Sequence, residues 1–328
     1  MTPVATAPTT GGLLDELAGC ARPRVRPDIP VMWRGESSIQ IGDRVIVDRV
    51  GRAHVAWITS LDGMCPADAI AESLTIPEPE AARLVRALRA AGALDDAARI
   101  PAPMRWLSQP EREVCASRHG AAVHTYLDPR VAEQATAARA DCRLGVVGSG
   151  PLAERIIDAA HEAGLGRDDV HPTVIILAAE DAHPDAPAPL GLPAPERPHL
   201  PVAAYGGRAV AGPLVLPGRT SCMRCAHLHR RDADPSWPLL AVQWSQALRA
   251  MAVPPRDPAL LRLAALHAVL LVREWLDRPH EPEHWADCAI EIELPSAASV
   301  RRNRPVHPLC GCQWLPATTA DPRPREAS

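Results

Sequence analysis

The sequence contains no lysine, no phenylalanine and only two tyrosines, so its 35 basic residues are all arginine. The missing lysine excludes an ε-ammonium group as a ligand for phosphate. With abundant alanine and 36 prolines, the bias is that of a gene rich in G and C. Long hydrophobic runs are also lacking. The longest, Leu260 to Val272, is interrupted by Arg262 and His267, which excludes a membrane span. No basic, apolar and small-residue succession of the secretory kind opens the chain, so the expected location is the cytoplasm. A net charge of -4 and a pI near 6.4 leave no global positive field to gather nucleic acid or an anionic membrane.

What is present is the balance of a folded protein, 47% hydrophobic and 23% charged, in a chain of 328 residues that suffices for two domains. Nine cysteines in a chain expected to stay reduced point away from disulfides and toward metal ligation. Five of them, Cys20, Cys65, Cys115, Cys142 and Cys288, stand alone and read as small buried hydrophobes.

Residues 1–22 read as a flexible tail with one short amphipathic piece, Leu13 to Leu17. From 23 to 98 a small module is expected. Val31 to Trp33, Ser38 to Ile41 and Val45 to Val47 are strand-like, with a hairpin at Gly42-Asp43. Val55, Ile58 and Leu61 then recur at helical spacing, a second helix spans Pro66 to Ser73, and a third starts near Pro77-Glu78. That third helix buries Ala81, Leu84, Val85 and Leu88 and stops at Gly92. Residues 99–140, with Pro101, Pro103 and Pro110 before an Ala-rich helical stretch, read as a linker.

A second domain is expected over 141–316. A strand at Leu144, the glycine turn Gly148-Ser-Gly150, a helix from Leu152 to Ala163 and a strand from Thr173 to Ala178 make a βαβ unit, which implies a parallel sheet. Val202 to Tyr205, Ala209 to Leu216 and Ala289 to Leu294 read as further strands. Leu260 to Leu276 reads as a helix for the core or for contact with a second copy of the chain. Residues 317–328 read as a polar tail.

Two motifs carry chemistry. Cys222-Met-Arg-Cys225 and Cys310-Gly-Cys312 are two closely spaced thiol pairs far apart in the chain, and together they supply the four soft ligands that tetrahedral zinc prefers. Four protein ligands leave no open position for water, so the metal is expected to be structural. His227, His229 and His307 are expected close by as outer contacts or solvated residues, with replacement of a Cys ligand by one of them as the alternative. The turn at Gly148 and Gly150 has the form that lets backbone amides approach a phosphate at a helix N-terminus, although Pro151 brings no N–H. A tight strand-to-helix turn without a ligand has the same appearance.

The C-terminal half resembles the ThiF/MoeB superfamily of ubiquitin-activating-like adenylyltransferases. The resemblance rests on Gly148-Ser-Gly150, the strand Val174 to Ala178 with Glu180-Asp181, the turn Ala211-Gly-Pro213 and the two cysteine pairs. His307 to Cys312 is similar to the ThiF-like proteins found with thiazole/oxazole-modified peptide clusters, described as cyclodehydratases. The βββααα module resembles PqqD-like peptide-recognition domains at Leu61-Asp62-Gly63 and Leu88 to Leu94. The fold class expected is therefore α/β, a winged-helix-like βββααα module followed by a reduced Rossmann-like, ThiF-type domain with a zinc site.

The resemblance implies that an adenylating relative carries a segment after the first helix, holding an acid for the ribose, an Asn and Arg for phosphates and a Lys for the α-phosphate. Here only Leu165 to Pro172 separate that helix from the next strand, and no lysine exists to take the last role. ATP is thus an unexpected cofactor, no catalytic residue is assigned, and Gly148, Gly150 and Asp181 stand as a vestigial nucleotide site. The resemblance also implies that a peptide adds as a strand to the first module and packs on its third helix, with Val45, Val47, Val85, Arg86 and Arg89 as contacts. The expected function is a peptide-binding scaffold with a non-adenylating domain that docks a partner enzyme. The alternatives are an ATP-dependent cyclodehydratase component or adenylyltransferase, and a winged-helix DNA-binding regulator, for which the third helix lacks an aromatic or amide-rich face and the domain is not strongly basic.

Overall fold

The computed structural model describes residues 12–18, 20–43, 45–98, 108, 121–122, 125–126, 129–180, 197–250 and 257–314. They fall into two units divided between Thr136 and Ala137. The first opens with a single helical turn, α1 (Leu13–Glu16), and a short strand, β1 (Pro23–Val25). A three-stranded antiparallel sheet of β2 (Val31–Trp33), β3 (Ser38–Ile41) and β4 (Val45–Asp48) follows. Then come α2 (Arg52–Ser60), α3 (Ala67–Ser73), α4 (Glu78–Ala90) and β5 (Leu94–Asp96), which pairs antiparallel with β1.

Period-two alternation in β3 and β4 turns Ile39, Ile41, Val45 and Val47 inward, where Trp57, Ile58, Leu84, Val85 and Leu88 complete the core. Three expected peptide contacts are therefore placed differently. The side chains of Val45, Val47 and Val85, which the resemblance made peptide contacts, are buried in the core at 8%, 5% and 0% exposure and cannot meet a ligand.

Part of the expected N-terminal tail is built into the unit. Leu13 is buried and its N–H donates to Glu78 Oε1. Glu16 pairs with Arg86 at 3.0 Å, and the N–H groups of Ala21 and Arg22 donate to the Asp96 carboxylate. One helical turn is too short to show periodicity, and its partners are remote in sequence.

The second unit is a mixed α/β layer consistent with a Rossmann-like domain. After α5 (Pro129–Asp141), whose residues straddle the division, come β6 (Arg143–Val147), α6 (Pro151–Glu162), β7 (Gly166–Arg167), β8 (Val174–Ala179), β9 (His199–Tyr205) and β10 (Arg208–Ala211). They are followed by α7 (Met223–Ala233), α8 (Trp237–Ala250), α9 (Pro258–Asp277), β11 (Cys288–Glu293) and β12 (Ala298–Asn303). The sheet has seven strands in the order β12-β11-β10-β9-β8-β6-β7. The strands β7, β6, β8 and β9 run parallel, and β9 to β12 continue antiparallel.

Helices α6 and α9 cover the face bearing Leu144, Val174, Ile176, Leu200, Val202, Ala209 and Ala211. The apolar α9 is the core helix its composition suggests, although Leu266 and Leu270 stay exposed on its outer side. The strand expected over Ala209 to Leu216 ends at Ala211, because Pro213 has no N–H for a ladder. Among the described residues no helix is long and apolar enough to cross a membrane.

Candidate metal centre and glycine turn

The two cysteine pairs meet. Cys222 is the N-cap of α7 and Cys225 lies in its first turn, while Cys310 and Cys312 flank Gly311, whose φ of +68° favours glycine. The sulfurs are 3.8 Å apart for Cys222–Cys225, 3.5 Å for Cys222–Cys310 and 3.6 Å for Cys225–Cys312. All four lie within 4.8 Å of one another. Zn–S bonds of about 2.3 Å set the edge of a regular tetrahedron at about 3.8 Å, so the separations fit a zinc-sized ion.

The four thiols do not share one electrostatic environment. Burial pushes the Cys222 thiol up to about 12, and burial raises Cys312 as well. Burial opposes ionisation of Cys225 too, but backbone hydrogen bonds from His307 and Cys222 and the thiols of Cys310 and Cys312 outweigh it and hold that group below its ordinary value. Four thiolates at this spacing repel one another, and a dication offsets the repulsion. The cluster could hold a metal ion such as zinc.

His307 supports the cluster from outside it. The residue is 4% exposed; its Nδ1 accepts from the Leu309 N–H at 3.1 Å and its Nε2 lies 2.8 Å from Asp232 Oδ2. This fixes the turn that presents Cys310. His229 stacks edge-on against His307 at 4.6 Å, while His227 accepts from the indole N–H of Trp237.

The glycine turn is closed by protein. Gly148 has φ +126°, and a Cβ there would lie 2.3 Å from the Ala178 carbonyl oxygen. Gly150, the N-cap of α6, has φ +93°, and a Cβ there would lie 3.2 Å from Glu180 Oε1. Both glycines are thus required by the close approach of the end of β8. Glu180 is 7% exposed and its Oε1 accepts from the Leu152 N–H at 2.6 Å. A carboxylate accordingly caps α6 from another strand, where Gly150 has no side chain and Pro151 no N–H to offer.

Sequence reasoning assigned Glu180 no role. Its only signal was an acid at the carboxyl end of the strand after a glycine turn. Asp181, the third member of the expected vestigial site, lies outside the described residues.

Between α6 and β8 the chain forms only a short edge strand, a stub. β7 has two residues, registered Arg143 with Gly166 and Leu144 with Arg167, and Asp169 Oδ1 accepts from the Val146 N–H just beyond it. A cavity of about 530 Å³ opens beside this stub, lined by Leu144, Val146, Ile157, His161 and Leu165. It lies along the later turns of α6 and does not reach the glycine turn.

In the first unit, Arg86 engages Glu16 and Arg89 lies 3.4 Å from the Ala18 carbonyl, so the chain itself covers that side of α4. Arg83 donates to the carbonyls of Asp48 and Arg49. The main chain of β4 is placed for strand addition. Hydrogen bonds from Gly42 to Pro30 and from Arg34 to Ser38 show that Ser38 and Gln40 face β2. Ile39 and Ile41 therefore face Val47 and Val45, and Ile46 and Asp48 turn their backbone groups outward. Among the described residues β4 pairs with β3 alone.

No family model matches the chain, and no curated protein matches it. The fold is shared with solved heterocyclases and a microcin C7 biosynthetic enzyme. The heterocyclase TruD aligns with a TM-score of 0.57 at 16% identity, covering 89% of this chain. This chain spans 42% of the length of TruD. The microcin C7 biosynthetic enzyme MccB, in complex with N-formylated MccA, aligns with a TM-score of 0.58 at 12% identity over 89% of this chain and 99% of that one. A heterocyclase in complex with substrate and cofactor gives 0.56 at 17% identity over 88% of this chain and 38% of that one. At these identities the likeness establishes the fold.

Proposed function

We propose that this chain is a peptide-binding component of a peptide-modifying assembly. Its first unit is a PqqD-like module that captures a peptide or protein segment. Its second is a ThiF-like domain, stapled by structural zinc, that docks a partner enzyme and does not adenylate. The observation that carries this reading is the two-residue β7. The chain matches nearly the full length of MccB, yet the stretch between α6 and β8, where the ThiF resemblance places the ribose and phosphate ligands, is a stub. Phosphoryl and adenylyl transfer depends on positioned positive charge, and without lysine or this segment little remains to position it. The peptide context is supported by the structural neighbours, among them an enzyme solved with N-formylated MccA.

Because the expected valines are buried, the captured peptide adds to the main chain of Ile46 and Asp48, and Arg83 marks one end of the open edge. Replacing Ile46 with proline removes an outward N–H and spares the ladder to β3. For a labelled peptide selected on the wild-type protein from a displayed library, fluorescence anisotropy is expected to show at least about ten-fold weaker binding to Ile46→Pro, roughly one charge-free hydrogen bond plus its register. Undiminished binding with unchanged circular dichroism would remove β4 from the reading.

A second reading, an ATP-dependent cyclodehydratase component, draws support from the same fold in MccB solved with ATP, at a TM-score of 0.53 and 13% identity. It requires phosphate ligands that have yet to be assigned to any residue of this chain. A DNA reader is disfavoured by the engagement of Arg83, Arg86 and Arg89 within the unit. Exposed Leu266 and Leu270 are the surface we assign to the partner enzyme or to a homodimer.

A further inference from the structure

We infer that Glu180 is a built-in anion, holding the seat at the N-terminus of α6 where a strand–glycine turn–helix unit otherwise receives a ligand phosphate. This deepens the non-adenylating reading and rests on it. A phosphate is held at such a turn by two things, free N–H groups at the first turn of the helix and room beside the glycines for oxygen atoms.

Both are already used here. The first helical residue is Pro151, which has no N–H, and the Leu152 N–H donates to Glu180 Oε1 at 2.6 Å. The room beside Gly150 is filled by the same carboxylate, whose Oε1 would lie 3.2 Å from a Cβ at that position. The room beside Gly148 is filled by the Ala178 carbonyl, 2.3 Å from the corresponding Cβ. Glu180 is 7% exposed, so its charge is screened little by water, and it repels any second anion brought to the same helix end.

The placement has a simple origin in the chain. β8 ends at Ala179 and β6 at Val147, neighbouring parallel strands in register Val147 with Leu177. The residue following β8 therefore arrives beside the turn following β6, and an acid there completes the helix cap that Gly150 and Pro151 leave open. A small neutral residue in the same place would leave that end of α6 open.

The test uses the full chain with Glu180→Ala and Glu180→Gln, and inorganic phosphate as the probe. Thermal unfolding and isothermal titration are run with phosphate against chloride at matched ionic strength. Wild type is expected to show no phosphate-dependent stabilisation. Glu180→Ala is expected to bind phosphate about ten-fold or more tightly than wild type, the order set by one charge at a helix end. Glu180→Gln keeps the size and the acceptor for Leu152 and is expected to gain in the same direction by less. Should the alanine variant fold only in phosphate, that dependence reads the same contact.

Equal phosphate binding by wild type and both variants would overturn the inference and leave the peptide-binding reading standing. Tight ATP–magnesium binding by wild type would overturn both.

Discussion

Loss of the metal is expected to be the most damaging single change to the second unit. Cys222 and Cys225 open α7, whereas Cys310 and Cys312 sit near the end of the described chain, and the Cys222–Cys310 contact joins positions 88 residues apart. Among the described residues, the apolar cluster at the four cysteines adds Leu228 and Val306 alone, so it has little apolar area to hold the two segments together without a cation. The wild type is expected to carry one zinc per chain, and Cys310→Ser is expected to lose it. The unit should then lose several kcal/mol of stability, with the apparent zinc affinity of small zinc domains, about 10–16 kcal/mol, as the ceiling. Metal content by mass spectrometry with urea unfolding checks this. Cys142→Ala, at a lone buried cysteine, should keep its zinc and lose only a small packing contribution.

The second large effect is expected at a buried ion pair. Arg139, on α5, forms a two-pronged contact with Asp277, the last residue of α9: Nε donates to Oδ1 at 2.8 Å and Nη2 donates to Oδ2. Their side chains are 8% and 2% exposed. Asp277 stands at the C-terminal, negative end of a twenty-residue helix, where a lone carboxylate is unfavourable, and the guanidinium compensates for it. Arg139→Ala should destabilise the unit by about 3–5 kcal/mol, because it removes the guanidinium bound two-pronged to a buried carboxylate. Replacing both residues with apolar side chains of similar volume should recover most of that loss. Chemical denaturation of the single and double variants distinguishes the cost of removing one partner from the net worth of the pair.

Local chemistry was legible in the sequence, and pairing between distant segments was not. The cysteine pairs announced themselves by spacing, and the sulfurs do converge. The βαβ unit around Gly148 and Gly150 followed from a strand, a glycine turn and an apolar helix. The same pattern could not distinguish a phosphate seat from a tight turn, since both require glycine. The deciding atom is a carboxylate oxygen of Glu180, brought from a neighbouring strand by sheet register.

Val45, Val47 and Val85 entered as peptide contacts through the PqqD-like resemblance, whereas strand and helix periodicity turns them inward, and inward here means the core. The outward Ile46 emerged only from the hydrogen-bond phase of β3. β12 escaped notice because its six residues are all exposed and carry no apolar alternation. The β1–β5 pair, which joins the two ends of the first module, has three residues in each strand, too few to register a period.

The central claim is that this protein grips a peptide and no nucleotide. It is tested most directly by titrating ATP–magnesium into the wild-type chain by calorimetry and soaking the same ligand into its crystals. The account predicts no heat of binding and a glycine turn still capped by Glu180. A triphosphate ordered over Gly148 to Gly150, with the Glu180 side chain displaced from Leu152, would contradict it.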